Sequence, residues 1–119
     1  MTPLAEFGLA TVDGVPVARI TGEVDASNAA DLTNRLQGVG EQGGPGLVLD
    51  LTGVEYIDSS GLRMLLNAAS HLADRDQELR VVIVPDSFIA SLFETAGVSG
   101  ILAVDATSDA AVGQLSAKT

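Results

Sequence analysis

The sequence predicts an α/β domain: a mixed β-sheet of about four to five strands, about four helices packed on it, and an opening β-hairpin. Strand-like and helix-like apolar patterns alternate after residue 24. Two short apolar runs bounded by turn residues, 47–51 and 79–84, read as strands buried on both faces. Asp13-Gly14, set between two alternating segments, is a strong hairpin signal.

Each element has its own signature. Phe7, Leu9 and Val12 mark the first strand, and Val15, Val17 and Ile20 the second. Ser27 or Asn28 can cap a helix that carries Ala29, Leu32, Leu36 and Val39 on one face. Gly38 and Gly40 weaken its end, and residues 42–46 form a turn cluster. The strand at 47–51 follows. The helix after Ser59 is the clearest periodic segment, with Leu62, Leu65, Leu66, Ala69, Leu72 and Ala73 inward. That reading leaves Arg63, Met64, Asn67, Ala68 and His71 on the outer face. Pro85 stops the strand at 79–84. Asp86 or Ser87 can cap a third helix with Ile89, Leu92, Phe93 and Ala96 inward and Gly97 as its stop. Residues 101–104 read as a short strand. Thr107 or Ser108 opens a last helix with Ala111, Val112 and Leu115.

The 119 residues make one domain, 1–119, with a core expected over about 7–115. Aromatics are only 3%, so Leu, Val, Ile and Ala must fill that core. There is no cysteine, which removes disulfides, thiolate metal sites and thiol nucleophiles. The single histidine, His71, cannot by itself build a His-rich metal site. The formal charge is −10, from 16 acids against 6 bases. Such a chain should repel nucleic acid and anionic lipid, and it suits a basic protein partner. No apolar run reaches membrane-spanning length, and residues 1–6 lack a signal-peptide pattern, so the expected location is cytoplasmic.

The most informative stretch is Asp58-Ser59-Ser60-Gly61-Leu62. It lies where a strand-like run ends and a helix opens. At such a junction free backbone N–H groups and the positive end of the helix dipole favour a phosphate. Serine is also an ordinary helix cap, so the motif alone leaves capping and modification both open. Asp25 is a turn or cap residue on the same terms.

Asp50 to Leu62, reading Asp-Leu-Thr-Gly-Val-Glu-Tyr-Ile-Asp-Ser-Ser-Gly-Leu, resembles the signature of the STAS family of bacterial anti-sigma-factor antagonists. Ile20-Thr21-Gly22-Glu23-Val24-Asp25 resembles the segment before that family's first helix. Leu92-Phe93-Glu94-Thr95-Ala96-Gly97-Val98 resembles its leucine-phenylalanine helix. The resemblance runs from about Phe7 to about Leu115. It implies that Ser59, with Ser60 as second choice, is phosphorylated by a partner kinase, and that Asp25 lies close by. Many members have a small residue where this chain has Arg63. An exposed arginine there is a solvated side chain, a phosphate contact or a partner contact. Met64, flexible and set on the supposed outer face, suits a binding surface.

The resemblance implies partner switching by an anti-sigma factor antagonist. Unphosphorylated, the domain would bind an anti-sigma factor with serine kinase activity and release a sigma factor. Phosphorylation at Ser59 would end that binding, and a phosphoserine phosphatase would restore it. The expected partner surface comprises Asp25, Asp58, Ser60, Gly61, Arg63, Met64 and Asn67. No cofactor, metal, nucleic acid or inserted membrane is expected. The kinase would bring ATP and Mg²⁺, with this chain as substrate rather than enzyme. The alternative is a non-switching STAS scaffold in a stress-signalling or membrane transporter complex. A small enzyme or nucleotide-binding protein is the third class.

Enzymatic motifs do not support that third class. There is no Gly-x-x-x-x-Gly-Lys loop and no Gly-x-Ser-x-Gly elbow. His71 lies too far along the helix to serve Ser59 as a base. Asp50, at the end of a strand run, hints at a receiver domain phosphorylated on aspartate, but the only lysine is Lys118. Asp25 and Asp58 alone are a weak metal site.

Overall fold

Asp13 and Gly14 both adopt positive φ, 51° and 79°. That pair of angles is the type I′ turn, whose twist matches that of a hairpin. In the computed structural model, which describes residues 4–118, the turn joins β1 (Ala5–Val12) to β2 (Val15–Val24) in antiparallel register, Val12 opposite Val15. The expected termini at 1–3 and 119 lie outside the described residues.

The remaining elements follow in strict order: α1 (Ala29–Gly40), β3 (Gly46–Ile57), α2 (Ser59–Ala73), β4 (Glu78–Val82), α3 (Phe88–Ala96), β5 (Ala103–Asp105) and α4 (Ser108–Ser116). The sheet order is β1-β2-β3-β4-β5, with every pair after the hairpin parallel. The mixed five-stranded sheet and four helices match the expected fold class.

The two faces of the sheet are covered differently. On one face Ala18, Ile20, Leu47, Leu49, Leu51 and Val81 pack with the inner sides of α1, α2 and α3. On the other, Val15, Val48 and Val82 pack against Ala111, Val112 and Leu115 of α4 alone. Alternation along β3 assigns its side chains, because successive residues of a strand point to opposite faces. Each fully buried Leu or Ile contributes about 1.5–3 kcal/mol relative to exposure.

Several boundaries differ from the sequence reading. β3 does not stop near residue 51 but continues to Ile57, paired along β2 through two register shifts. Gly22 sits at one of those shifts, with φ of 98°. A Cβ there would lie 2.2 Å from the Leu4 carbonyl oxygen. Strand β4 ends at Val82 rather than 84, and β5 is centred on Val104, leaving Ile101 exposed.

The buried stripe of α2 is wider than expected and rotated. Gly61, Met64, Leu65, Ala68 and Leu72 are buried, Leu62, Leu66 and Ala69 are half-buried, and Ala73 is exposed. The reason is the neighbour: α2 packs on α1 as well as on the sheet. Ala68, His71 and Leu72 line one small pocket with Leu36 and Gln37 of α1. The helices approach closely at Gly40, where a Cβ would lie 2.7 Å from Leu72 Cδ2.

The far edge of the sheet is tied by charge. Arg80 grips Asp105 with two bonds, Nε to Oδ2 at 2.7 Å and Nη2 to Oδ1 at 3.2 Å. It also reaches Glu78 at 3.0 Å, which Lys118 meets at 3.1 Å. Burial works against the Glu78 carboxylate, but the hydrogen bonds from Arg80 and Lys118 outweigh it and hold its pKa below the usual value.

Candidate functional site

The site is built where β2 and β3 end side by side. Val24 and Ile57 are register partners, and the Asp58 N–H donates to the Val24 carbonyl at 3.2 Å. Asp25 and Asp58, the next residues on each strand, are thereby brought together. Parallel pairing places both loops at the same end of the sheet.

The Asp25 loop is fixed by its own side chains. The Asp25 carboxylate accepts from the Ser27 N–H at 2.8 Å and from the Ser27 hydroxyl. The Asp25 N–H donates to Asn28 Oδ1 at 3.1 Å, and Asn28 Nδ2 donates to the Glu23 carbonyl at 2.9 Å. Hydrogen bonds from the Ser27 side chain first, and its backbone second, hold the Asp25 pKa below the ordinary carboxylate value. Sequence reasoning singled out Ser27 and Asn28 as caps for α1. Asn28 does occupy the capping position, but without a side-chain cap bond. Both side chains serve the Asp25 loop instead.

Asp58 is the cap of α2. Its backbone is extended, and Oδ1 accepts the Gly61 N–H at 3.1 Å. Ser59 is therefore the first residue inside the helix, not its cap. Its side chain is exposed, and no hydrogen bond engages its hydroxyl among the described residues. Ser60, one residue on, is half-buried.

Gly61 is a packing residue. It is buried, and a Cβ there would lie 2.3 Å from Ile57 Cγ1 and 3.0 Å from Val24 Cγ1. The tight entry of the chain into α2 over the ends of both strands requires its absence. Gly61 is thus required for packing, and all it can offer a partner is its backbone.

A family model described as "Mlab, STAS domain" matches residues 7–104. The chain belongs to the STAS-domain family. It is 34% identical over 85 residues to a Listeria monocytogenes anti-sigma-B factor antagonist, covering 71% of this chain and 74% of that one. The crystal structure of an anti-sigma factor antagonist from Mycobacterium paratuberculosis superposes with a TM-score of 0.83 at 25% identity, over 93% of each chain. Bacillus SpoIIAA superposes in its unphosphorylated form with a TM-score of 0.74, over 92% of this chain and 95% of that one. In its phosphorylated form the score is 0.67, over 92% and 98%. At 19% identity the SpoIIAA likeness concerns the fold alone.

The outer face expected for α2 is only partly observed. Arg63 and Asn67 are exposed, as the helical spacing requires. Met64 is not: it is 2% exposed and belongs to the main core. It stands at the i, i+4, i+7 spacing with Ala68 and His71, which line a small pocket with Leu36 and Gln37 of α1. Ala68 is also buried, and the His71 Nε2 is itself buried rather than turned outward. His71 lies twelve residues beyond Ser59 on one helix, about 18 Å along its axis. It cannot act as a base for that serine.

Asp50 is a structural residue within β3. It is buried on the α4 face and accepts from the Thr52 N–H at 2.9 Å, the Thr52 hydroxyl at 2.7 Å and the Ser108 hydroxyl at 3.3 Å. No group of three or more potential metal ligands occurs among the described residues. No helix among them is long and apolar enough to cross a membrane.

Proposed function

We propose that this domain is an anti-sigma factor antagonist that works by partner switching, with Ser59 as the phosphoacceptor. The single observation that carries the reading is the unengaged, exposed hydroxyl of Ser59 at the first position of α2, beside the Asp25 loop. The names of the Listeria and Mycobacterium relatives support the role. The switch itself rests on the exposed Ser59 hydroxyl and on the resemblance of Asp50 to Leu62 to the family signature.

In the unphosphorylated state the domain binds an anti-sigma factor with serine kinase activity and so frees a sigma factor. The contact surface is the Asp25 loop, Asp58, Ser60, the Gly61 backbone and the exposed residues Arg63 and Asn67. Met64, being in the core, contributes shape and not contact. The kinase brings ATP and Mg²⁺. Ser59 Oγ forms a bond to the γ-phosphorus, ADP leaves, and the hydroxyl proton passes to a base on the kinase. A phosphoserine phosphatase reverses the change. The cytoplasm is where these partners meet, and residues 1–119 act as one domain.

The switch is electrostatic. Phosphorylation adds about −1.5 to −2 charge at pH 7. The first turn of a helix tolerates that charge, so the fold persists. Beside Asp25 and Asp58 the dianion is held against like charges, and a partner that closes over the serine must bury and desolvate it, which weakens docking.

A pull-down with the full chain, read by mass spectrometry, would identify the kinase and the modified residue. Purified kinase with labelled ATP should then modify the native chain and Ser60→Ala but not Ser59→Ala. Label that survives Ser59→Ala overturns the assignment. Stable partner binding with no label on any serine favours the scaffold reading instead.

A further inference from the structure

We infer that Arg63 is the intramolecular counter-charge for a phosphate on Ser59, so that this chain carries its own clamp for the modification. The inference rests on the reading of Ser59 as phosphoacceptor and names a regulatory residue of that same site.

Ser59 and Arg63 stand four residues apart in one uninterrupted helix, and both are exposed. Side chains at i and i+4 are neighbours on a helix surface. Helical side chains lean toward the N-terminus, so Arg63 reaches back over the turn that holds Ser59. The guanidinium fork matches a phosphate with two parallel hydrogen bonds, as a lysine ammonium does not.

The charge distribution singles out this arginine. Arg35 is paired with Asp31, Arg80 with Asp105 and Glu78, and Lys118 with Glu78. Arg63 has no ion-pair partner among the described residues. The other unpaired cations sit elsewhere, Arg19 within β2 and Arg75 past the far end of α2. Around Ser59 the nearby side-chain charges are otherwise negative, Asp25 and Asp58. Asp58 cannot turn away without giving up its bond to the Gly61 N–H. Among the described residues, a phosphate at position 59 therefore has Arg63 as the cation within one helical turn.

Pairing with Arg63 favours the phosphate dianion over the monoanion. It also holds the group against the helix surface, where a phosphatase must displace the guanidinium before reaching phosphorus. Arg63 is a positioning residue here, and its effect is read on the phosphate itself.

The test uses the full chain carrying phosphoserine at position 59, made by genetic encoding so that no kinase is needed. Phosphorus NMR titration then gives the second ionisation of that phosphate in the Arg63 chain, in Arg63→Gln and in Arg63→Lys. Arg63→Gln should raise the midpoint by about 0.3 of a pH unit at low salt, the size expected of one i,i+4 ion pair. Arg63→Lys should fall between the two, and the difference should shrink toward zero in 1 M salt. Equal midpoints for the Arg63 chain and Arg63→Gln at low salt overturn the clamp. Because the phosphoserine is encoded without a kinase, that result is distinct from the failure of a kinase to label Ser59.

Discussion

Asp58 Oδ1 accepts the Gly61 N–H at 3.1 Å, so the cap of α2 is the residue before Ser59 and not Ser59 itself. A serine used as a cap would hold its hydroxyl against the backbone. Moving the cap back by one residue leaves the Ser59 hydroxyl outside the helix's own hydrogen bonding. It also sets the Asp58 carboxylate and any charge on residue 59 side by side.

Ser59→Asp should therefore leave the fold intact and weaken partner binding. A carboxylate in the first turn suits the helix dipole, so stability should change by less than about 1 kcal/mol. Calorimetric titration against the anti-sigma partner should show reduced affinity, with the loss smaller than phosphorylation causes. Unchanged affinity would count against the electrostatic switch.

Met64 separates the core from the partner surface. Met64→Asp places a carboxylate at a site 2% exposed within the main core, and should unfold the domain at room temperature. Met64→Leu should cost less than about 1.5 kcal/mol, because volume is nearly kept. Urea denaturation followed by circular dichroism checks both. A folded Met64→Asp protein with impaired binding would return Met64 to the interface.

Gly61→Ala should destabilise through overpacking. The added methyl meets Ile57 Cγ1 at 2.3 Å and Ile57 Cδ1 at 2.9 Å, so the side chain or the helix must shift. The expected cost is about 1–3 kcal/mol in urea unfolding. The same shift displaces Ser59, two residues away, so kinase labelling should slow as well. A mutant of native stability would show that the helix entry has room to spare.

Asp25 gives a pH signature. Its folded pKa is depressed, by the Ser27 hydroxyl foremost and then by the Ser27 N–H. A depressed carboxylate adds stability that is present above its unfolded value, about 3.9, and lost as pH falls through the folded value. Ser27→Ala removes the hydroxyl but keeps the N–H. The Asp25 midpoint, read by carboxyl carbon NMR, should rise part of the way toward the ordinary value. An unmoved midpoint would mean that the hydroxyl bond does not form in solution.

Much of the fold was legible because it rests on local chemistry. Asp13-Gly14 alone specifies a two-residue turn with positive φ, and the strands on either side pair as that turn dictates. Ser87 and Thr107 cap α3 and α4 through bonds to residues three positions on, and Gly97 ends α3 in the left-handed conformation. None of these needs a distant partner. The location of the site was legible for a different reason: Asp58-Ser59-Ser60-Gly61 follows an apolar run and precedes a helical period, which sets it at a strand-to-helix junction.

The tertiary structure decided what depends on neighbours. Residues 52–57 lack a continuous apolar run and form strand only because β2 pairs with them through its bulges. The side of α2 that is buried depends on how many surfaces cover it. Periodicity identifies one apolar stripe and assigns it to the sheet, but α1 lies beside a second, at Ala68 and His71, and Met64 is buried in the core as well. Ser27 and Asn28 serve the Asp25 loop rather than capping α1 because the ends of β2 and β3 fix where that loop must turn. Period and capping are set by bonds within a few residues, whereas burial is set by whatever packs alongside, and only the folded chain brings that neighbour into place.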